Sequence, residues 1–237
     1  MPRGLTAQRG GLPQRRYVRW FGSALLLFCG SVFASPRTLD LYNDTMALEA
    51  VPARGQALYR QHCLTCHGPQ GLGKPEDVIP SLAGQIESYL AKELVDFAEL
   101  DRTTPSMHRV MARKELDDPQ AWRDIAAYLA RLPANRHPQT GGGKDLERGA
   151  RAYSAYCAMC HGARGEGTER GATPALNAQH YAYLVLQLRS FDADHRMNLD
   201  AALLDHMAGL TRGDLRAIAD YLSRASRTAP SPDTDSR

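Results

Sequence analysis

The pentapeptide Cys-x-x-Cys-His occurs twice, as Cys63-Leu64-Thr65-Cys66-His67 and as Cys157-Ala158-Met159-Cys160-His161, with an offset of 94 residues. On one helical turn the two sulfurs lie close enough to bond both vinyl groups of a single haem, and the adjacent histidine is held against the iron. The pattern therefore implies two covalently attached haem c groups, bound through Cys63, Cys66, Cys157 and Cys160, with His67 and His161 as metal ligands. A structural zinc or a redox disulfide could use the same cysteine pairs. Neither requires a histidine directly after each pair.

The start of the chain reads as an export signal. Arg15, Arg16 and Arg19 precede an apolar run from Trp20 to Ala34, which ends in the small-residue cleavage pattern Val32-Phe33-Ala34. At about 15 residues the run is short for a bilayer span, which needs roughly 20. Residues 1–34 are thus expected to be a secretory signal peptide cut before Ser35, which places the protein in the periplasm and removes the fifth cysteine, Cys29.

Removal of that segment changes the charge. Residues 1–34 hold five arginines and no acid, so the 29 basic residues fall to 24 against 26 acidic ones, and a formal +3 becomes −2. Nucleic-acid binding then has no support. Roughly 200 mature residues suit two domains of about 100 each, in which a haem supplies much of the apolar volume so small a core lacks.

The remainder repeats with the haem motifs. At the offset of 94, Gly55 pairs with Gly149, Tyr59 with Tyr153, Gly73 with Gly167, Pro80 with Pro174, Gln85 with Gln179, Tyr89 with Tyr183 and Leu94 with Leu188; at 93, Ile125 and Tyr128 pair with Ile218 and Tyr221. This is a tandem duplication. The expected domains are 35–132 and 145–226, joined by a Pro/Gly-rich linker at 133–144 and followed by a disordered tail at 227–237.

Each copy reads as all-α. A first helix near 53–63 and 146–157 leads into the haem motif, and a second carries Ile86, Tyr89, Leu90, Leu94 and Phe97 at helical spacing. The last helix is capped by Asp118 before Pro119 in copy one and by Thr211 in copy two.

These residues resemble the class I cytochromes c, in particular the two-domain dihaem cytochromes of the c-four type. The resemblance spans Ala53 to Leu222. It rests on the two haem motifs, on Ile79-Pro80-Ser81-Leu82-Ala83-Gly84-Gln85 followed by Tyr89-Leu90-Ala91-Lys92-Glu93-Leu94, and on Ile125-Ala126-Ala127-Tyr128-Leu129. It implies that the carbonyls of Pro80 and Pro174 accept the second ring N–H of His67 and His161, fixing the tautomer and raising ligand basicity.

The resemblance also implies a distal methionine before the last helix, a soft ligand that favours ferrous iron and raises the potential. In copy one Met107 is the expected ligand and Met111 a core residue. Copy two departs from the pattern, because Ala201 aligns with Met107. That leaves Met197, Met207, His195 and His206; Met197 is expected, since it precedes a short helix as Met107 opens its own, with Met207 the alternative. His62, His108, His137 and His180 have no repeated partner and are expected at the surface. Arg102 and Arg196 recur, either as forks for a haem propionate or as solvated helix-end charges.

The expected function is periplasmic electron transfer between respiratory partners such as a cytochrome oxidase, a quinol-cytochrome c reductase or a periplasmic dehydrogenase, with membrane association only through them. An electron-accepting subunit of a dehydrogenase is the second reading. A dihaem enzyme is the third: a peroxidase needs an open iron, and a haem-dependent thiosulfate dehydrogenase uses a cysteine as distal ligand, which the mature chain lacks.

Overall fold

The computed structural model describes residues 36–102, 104–190 and 205–225. Among them the architecture is helical, as expected, and strand pairing is limited to isolated bridges between Lys74 and Ile79 and between Thr168 and Thr173. The expected signal segment, Met197, His195 and the expected tail lie outside the described residues.

The first repeat begins with a helix the sequence reading did not anticipate, α1 (Pro36–Ala47). α2 (Pro52–His62) and the single turn α3 (Leu64–His67) carry the first haem motif. α4 (Glu87–Ala98), the short α5 (Pro105–Met111) and α6 (Pro119–Ala130) complete the repeat. The second repeat follows the same plan with α7 (Leu146–Tyr156), α8 (Ala158–His161), α9 (Tyr181–Ser190) and α10 (Arg212–Arg224). Each last helix starts where its cap predicts. The Asp118 side chain accepts from Gln120 N–H, and Thr211 forms a capping box with Asp214.

In each repeat the helix that leads into the haem motif crosses the last helix at a glycine. A Cβ on Gly55 would stand 2.0 Å from the Asp124 carbonyl oxygen, and one on Gly149 would stand 2.1 Å from that of Ala217. The close approach lets Tyr59 pack on Tyr128 at 5.6 Å between ring centroids, and Tyr153 on Tyr221 at 5.7 Å. Around each crossing lies a separate apolar core, with Leu90, Val95, Trp122, Ile125 and Leu129 in repeat one and Leu184, Leu215, Ile218 and Leu222 in repeat two. α1 packs Leu41, Tyr42 and Met46 against the first core only. Its N-terminal end is tied down by Thr38 to Asp101 at 2.5 Å and by Arg37 to Glu99.

The repeats are joined by polar contacts. The N-terminus of α4 has no side-chain cap of its own, and Glu169 of the second repeat supplies one, its carboxylate accepting from Glu87 N–H and Ser88 N–H at 3.0 and 2.9 Å. Arg102 is not a solvated helix-end charge. It is buried at the boundary, paired with Glu93, stacked on Phe97 and donating to Tyr183 and Gln187 of the second repeat. His180 is likewise buried, not exposed: its Nδ1 accepts from the linker N–H of Gln139, so Nε2 carries the proton given to the Leu72 carbonyl at 2.7 Å. His108 is half-buried with Nε2 at 2.8 Å from the Arg102 carbonyl, His62 is half-buried beside Arg113, and His137 is exposed.

The crossing yields a direct test. Gly55→Ala and Gly149→Ala force the helices apart and are expected to cost about 1–3 kcal/mol or more each. Gly142→Ala, where an added Cβ meets nothing within 4 Å, should leave thermal unfolding followed by circular dichroism unchanged.

Candidate haem sites

The helix leading into each motif runs straight to the first cysteine. Cys63 N–H bonds the Tyr59 carbonyl at 2.9 Å and Cys157 N–H bonds that of Tyr153 at 2.8 Å, so the motif begins as a continuation of the helix. The next turn places His67 N–H on Cys63 O and His161 N–H on Cys157 O, both at 3.0 Å. Cys63 and Cys157 are half-buried against the apolar cores, Cys66 is exposed and Cys160 partly so.

Thiol chemistry separates the readings. Burial pushes the Cys63 thiol up to about 12 and the Cys157 thiol up to about 11. A redox Cys-x-x-Cys pair needs the opposite shift, toward thiolate at neutral pH. Among the described residues no group of three or more His, Cys, Asp or Glu side chains is placed to hold a metal ion by itself, which tells against a protein-only zinc site.

The histidines are prepared as ligands. Burial lowers the pKa of His67 and His161, only partly offset by a carbonyl bond, so both are neutral imidazoles near pH 7, the metal-binding form. His67 Nδ1 lies 3.2 Å from the Pro80 carbonyl and His161 Nδ1 lies 3.0 Å from that of Pro174. Nε2 is then the nitrogen available to iron. The proline loop is held by glycine: Gly73 and Gly167 bond His67 O and His161 O at positive φ, and a Cβ at either would lie 2.5 Å from the Pro80 or Pro174 carbonyl carbon. Tyr59 and Tyr153 add a bond the sequence reading left unassigned, each hydroxyl donating at 2.5 Å to the carbonyl of the glycine after the histidine, Gly68 or Gly162.

Leu64, Leu82, Leu94 and Met107 are apolar, half-buried and packed on the first core with Cys63. With two thiols one turn apart and a neutral, oriented imidazole, this donor set fits a covalently bound haem. Met111 is 5% exposed and belongs to the core. In the second repeat Met207 is half-buried against the core. His206 is exposed, with Nε2 2.9 Å from the Tyr156 carbonyl. The favoured distal ligand of that repeat, Met197, lies outside the described residues.

The sequence profile of the family described as Cytochrome c matches residues 52–133 and 146–226, one match per repeat. Cytochrome c4 of Thiocapsa roseopersicina is 32% identical over 189 residues, 74% of this chain and 93% of that one. The chain belongs to the cytochrome c family, in its two-domain dihaem c4 branch. The thiosulfate dehydrogenase electron acceptor of Stutzerimonas stutzeri is 29% identical, covering 77% of this chain and 91% of its own length. The crystal structure of reduced recombinant cytochrome c4 from Pseudomonas stutzeri superposes with a TM-score of 0.66 at 25% identity, over 76% of this chain and 100% of that one. The chain is therefore a dihaem electron-transfer cytochrome with two covalently bound haem c groups.

Two outcomes follow for the sites. Acid-acetone extraction of the denatured protein should leave both haems on the chain, and Cys66→Ala or Cys160→Ala should leave one thioether at the affected haem and reduce its loading, read by mass spectrometry. Met107→Ala should remove one sulfur-to-iron band in the near infrared and lower that haem's potential; Met197→Ala should do the same at the other haem, and Met207→Ala should mainly cost packing.

Proposed function

We propose that this cytochrome is a periplasmic carrier that takes electrons from one respiratory partner and passes them to another, such as a quinol-cytochrome c reductase and a terminal oxidase, without catalysing a reaction of its own. Cys63, Cys66 and Cys157, Cys160 attach the haems, His67 and His161 are the proximal ligands, and Met107 and Met197, with Met207 the alternative, complete the two coordination spheres. Each haem contributes a one-electron ferric/ferrous couple. The protein holds each imidazole neutral and oriented, and it fixes one site relative to the other.

The supporting observation is that the two loops carrying Pro80 and Pro174 meet at the boundary between the repeats, where Gln179 bonds Ser81 and Gln85 bonds Ala175. An electron entering one repeat thus has a fixed neighbour to pass to. Export by residues 1–34 and domains at 35–132 and 145–226 belong to the same reading. Among the described residues no helix is long and apolar enough to cross a membrane.

The second reading, an electron-accepting subunit docked on a periplasmic dehydrogenase, is favoured by the likeness to a thiosulfate dehydrogenase electron acceptor. Affinity purification from the native host separates the two: a freely diffusing carrier elutes without a stoichiometric dehydrogenase. For the carrier, reductive titration should take up two electrons per chain, and the reduced spectrum should be unchanged by carbon monoxide. Binding of carbon monoxide would mark an open iron and replace the carrier reading with an enzymatic one.

A further inference from the structure

The loop from Pro80 to Gln85 and its counterpart from Pro174 to Gln179 make reciprocal contacts. Gln179 Oε1 accepts from Ser81 N–H at 2.9 Å, and its Nε2 donates to Ser81 O at 2.8 Å. In mirror image, Gln85 Oε1 accepts from Ala175 N–H at 2.8 Å and its Nε2 donates to Ala175 O at 2.9 Å. The orientation of both amides is dictated by a second donor on each oxygen, Ile86 N–H for Gln85 and His180 N–H for Gln179; an amide nitrogen there would face two N–H groups. All four residues are buried, none more than 9% exposed.

These contacts reach the histidines through one peptide unit each. Ser81 N–H belongs to the same amide as the Pro80 carbonyl that faces His67 Nδ1, and Ala175 N–H to the same amide as the Pro174 carbonyl that faces His161 Nδ1. An amide whose N–H is engaged becomes a better acceptor at its C=O, because hydrogen bonds in a chain polarise one another, and burial keeps water from screening the effect. A stronger acceptor on Nδ1–H makes the imidazole a more basic ligand and favours ferric iron.

We propose that Gln179 and Gln85 are positioning residues that act across the domain boundary, Gln179 setting the strength of the His67–Pro80 bond and Gln85 that of the His161–Pro174 bond. Each repeat thus tunes the haem potential of the other. The inference rests on the dihaem electron-transfer reading and adds residues to it. It also gives the tight packing of the repeats a consequence for redox chemistry: when the domains part, both proximal histidines lose their support together, and both potentials rise.

The test uses the full haem-loaded chain. Gln179→Met and Gln85→Met keep side-chain volume and remove both donor and acceptor. Spectroelectrochemistry, with each haem assigned by NMR, should show Gln179→Met raising the potential of the haem on His67 and moving that ring's Nδ1–H resonance upfield in the reduced protein. The haem on His161 should move less. Gln85→Met should give the mirror pattern. Gln179→Glu and Gln85→Glu keep an oxygen on the same N–H and should hold the opposite Nδ1–H resonance at or downfield of its parent position; they carry the test should a methionine variant load poorly. A larger shift at the haem of the variant's own repeat, equal shifts at both haems, or no shift would overturn the proposal. Failure of the parent protein to take up two electrons would instead overturn the functional reading, before any variant is made.

Discussion

Where the helix leading into the haem motif crosses the last helix of each repeat, the backbones meet with no side chain between them, and the rest of the repeat is built outward from that contact. The Gly55 crossing sets Tyr59 on Tyr128 and delivers Cys63 to the edge of the core one turn later. The hydroxyl of Tyr59 then anchors Gly68, Gly73 bonds back to His67, and the loop returns to set the Pro80 carbonyl against the imidazole. Every step recurs from Gly149 to Pro174. Nothing larger than glycine fits at the crossing, so the position of the ligand histidine depends on a residue a dozen positions earlier in the chain. The ligand's electronic state depends on a proline 13 positions later.

Much of this was legible because duplication supplies an internal comparison. Two copies of a chain that agree at Gly55/Gly149, Tyr59/Tyr153 and Gln85/Gln179 mark the positions where geometry leaves no choice, even where no role could be assigned. Motif residues were equally clear, since covalent attachment demands fixed residue types at fixed spacing. The illegible parts are those where one copy acts on the other or where a feature exists once. Among the described residues α1 has no counterpart in repeat two, and its apolar residues have no partner in the sequence. Glu169 caps a helix 81 and 82 positions away, and packing between the repeats buries both Arg102, read as a propionate fork or a solvated helix-end charge, and His180, expected at the surface. Single-residue patterns report a chain's own helices; they carry no signal for a polar side chain satisfied by a distant segment.

The two repeats share a plan but stabilise it differently. In repeat one Asp124 is fully buried, paired with Arg54 and accepting from Val51 N–H and Gln120. Ala217 stands in the corresponding place in repeat two, and there the corresponding arginine, Arg148, pairs instead with Asp214 of the capping box, which holds that carboxyl well below the usual range. The first arrangement buries its carboxylate completely and ties the entry to α2 onto α6, with the arginine reaching solvent. The second is exposed, contributes little energy and is open to screening by salt.

The boundary between the repeats is polar, which suits what it has to do. An apolar interface would hold the repeats together equally well, but its contacts tolerate sliding, whereas buried amide groups are costly unless every donor meets its acceptor. Gln85, Gln179, Glu169, Arg102 and His180 each satisfy backbone or side-chain partners in the opposite repeat or the linker, so they admit one register. Electron exchange between two haems is steeply sensitive to their separation, and a single allowed register makes that separation a property of the fold. Two of these groups, Gln85 and Gln179, also touch the amides behind the histidines, so register and ligand strength are set at one surface instead of two.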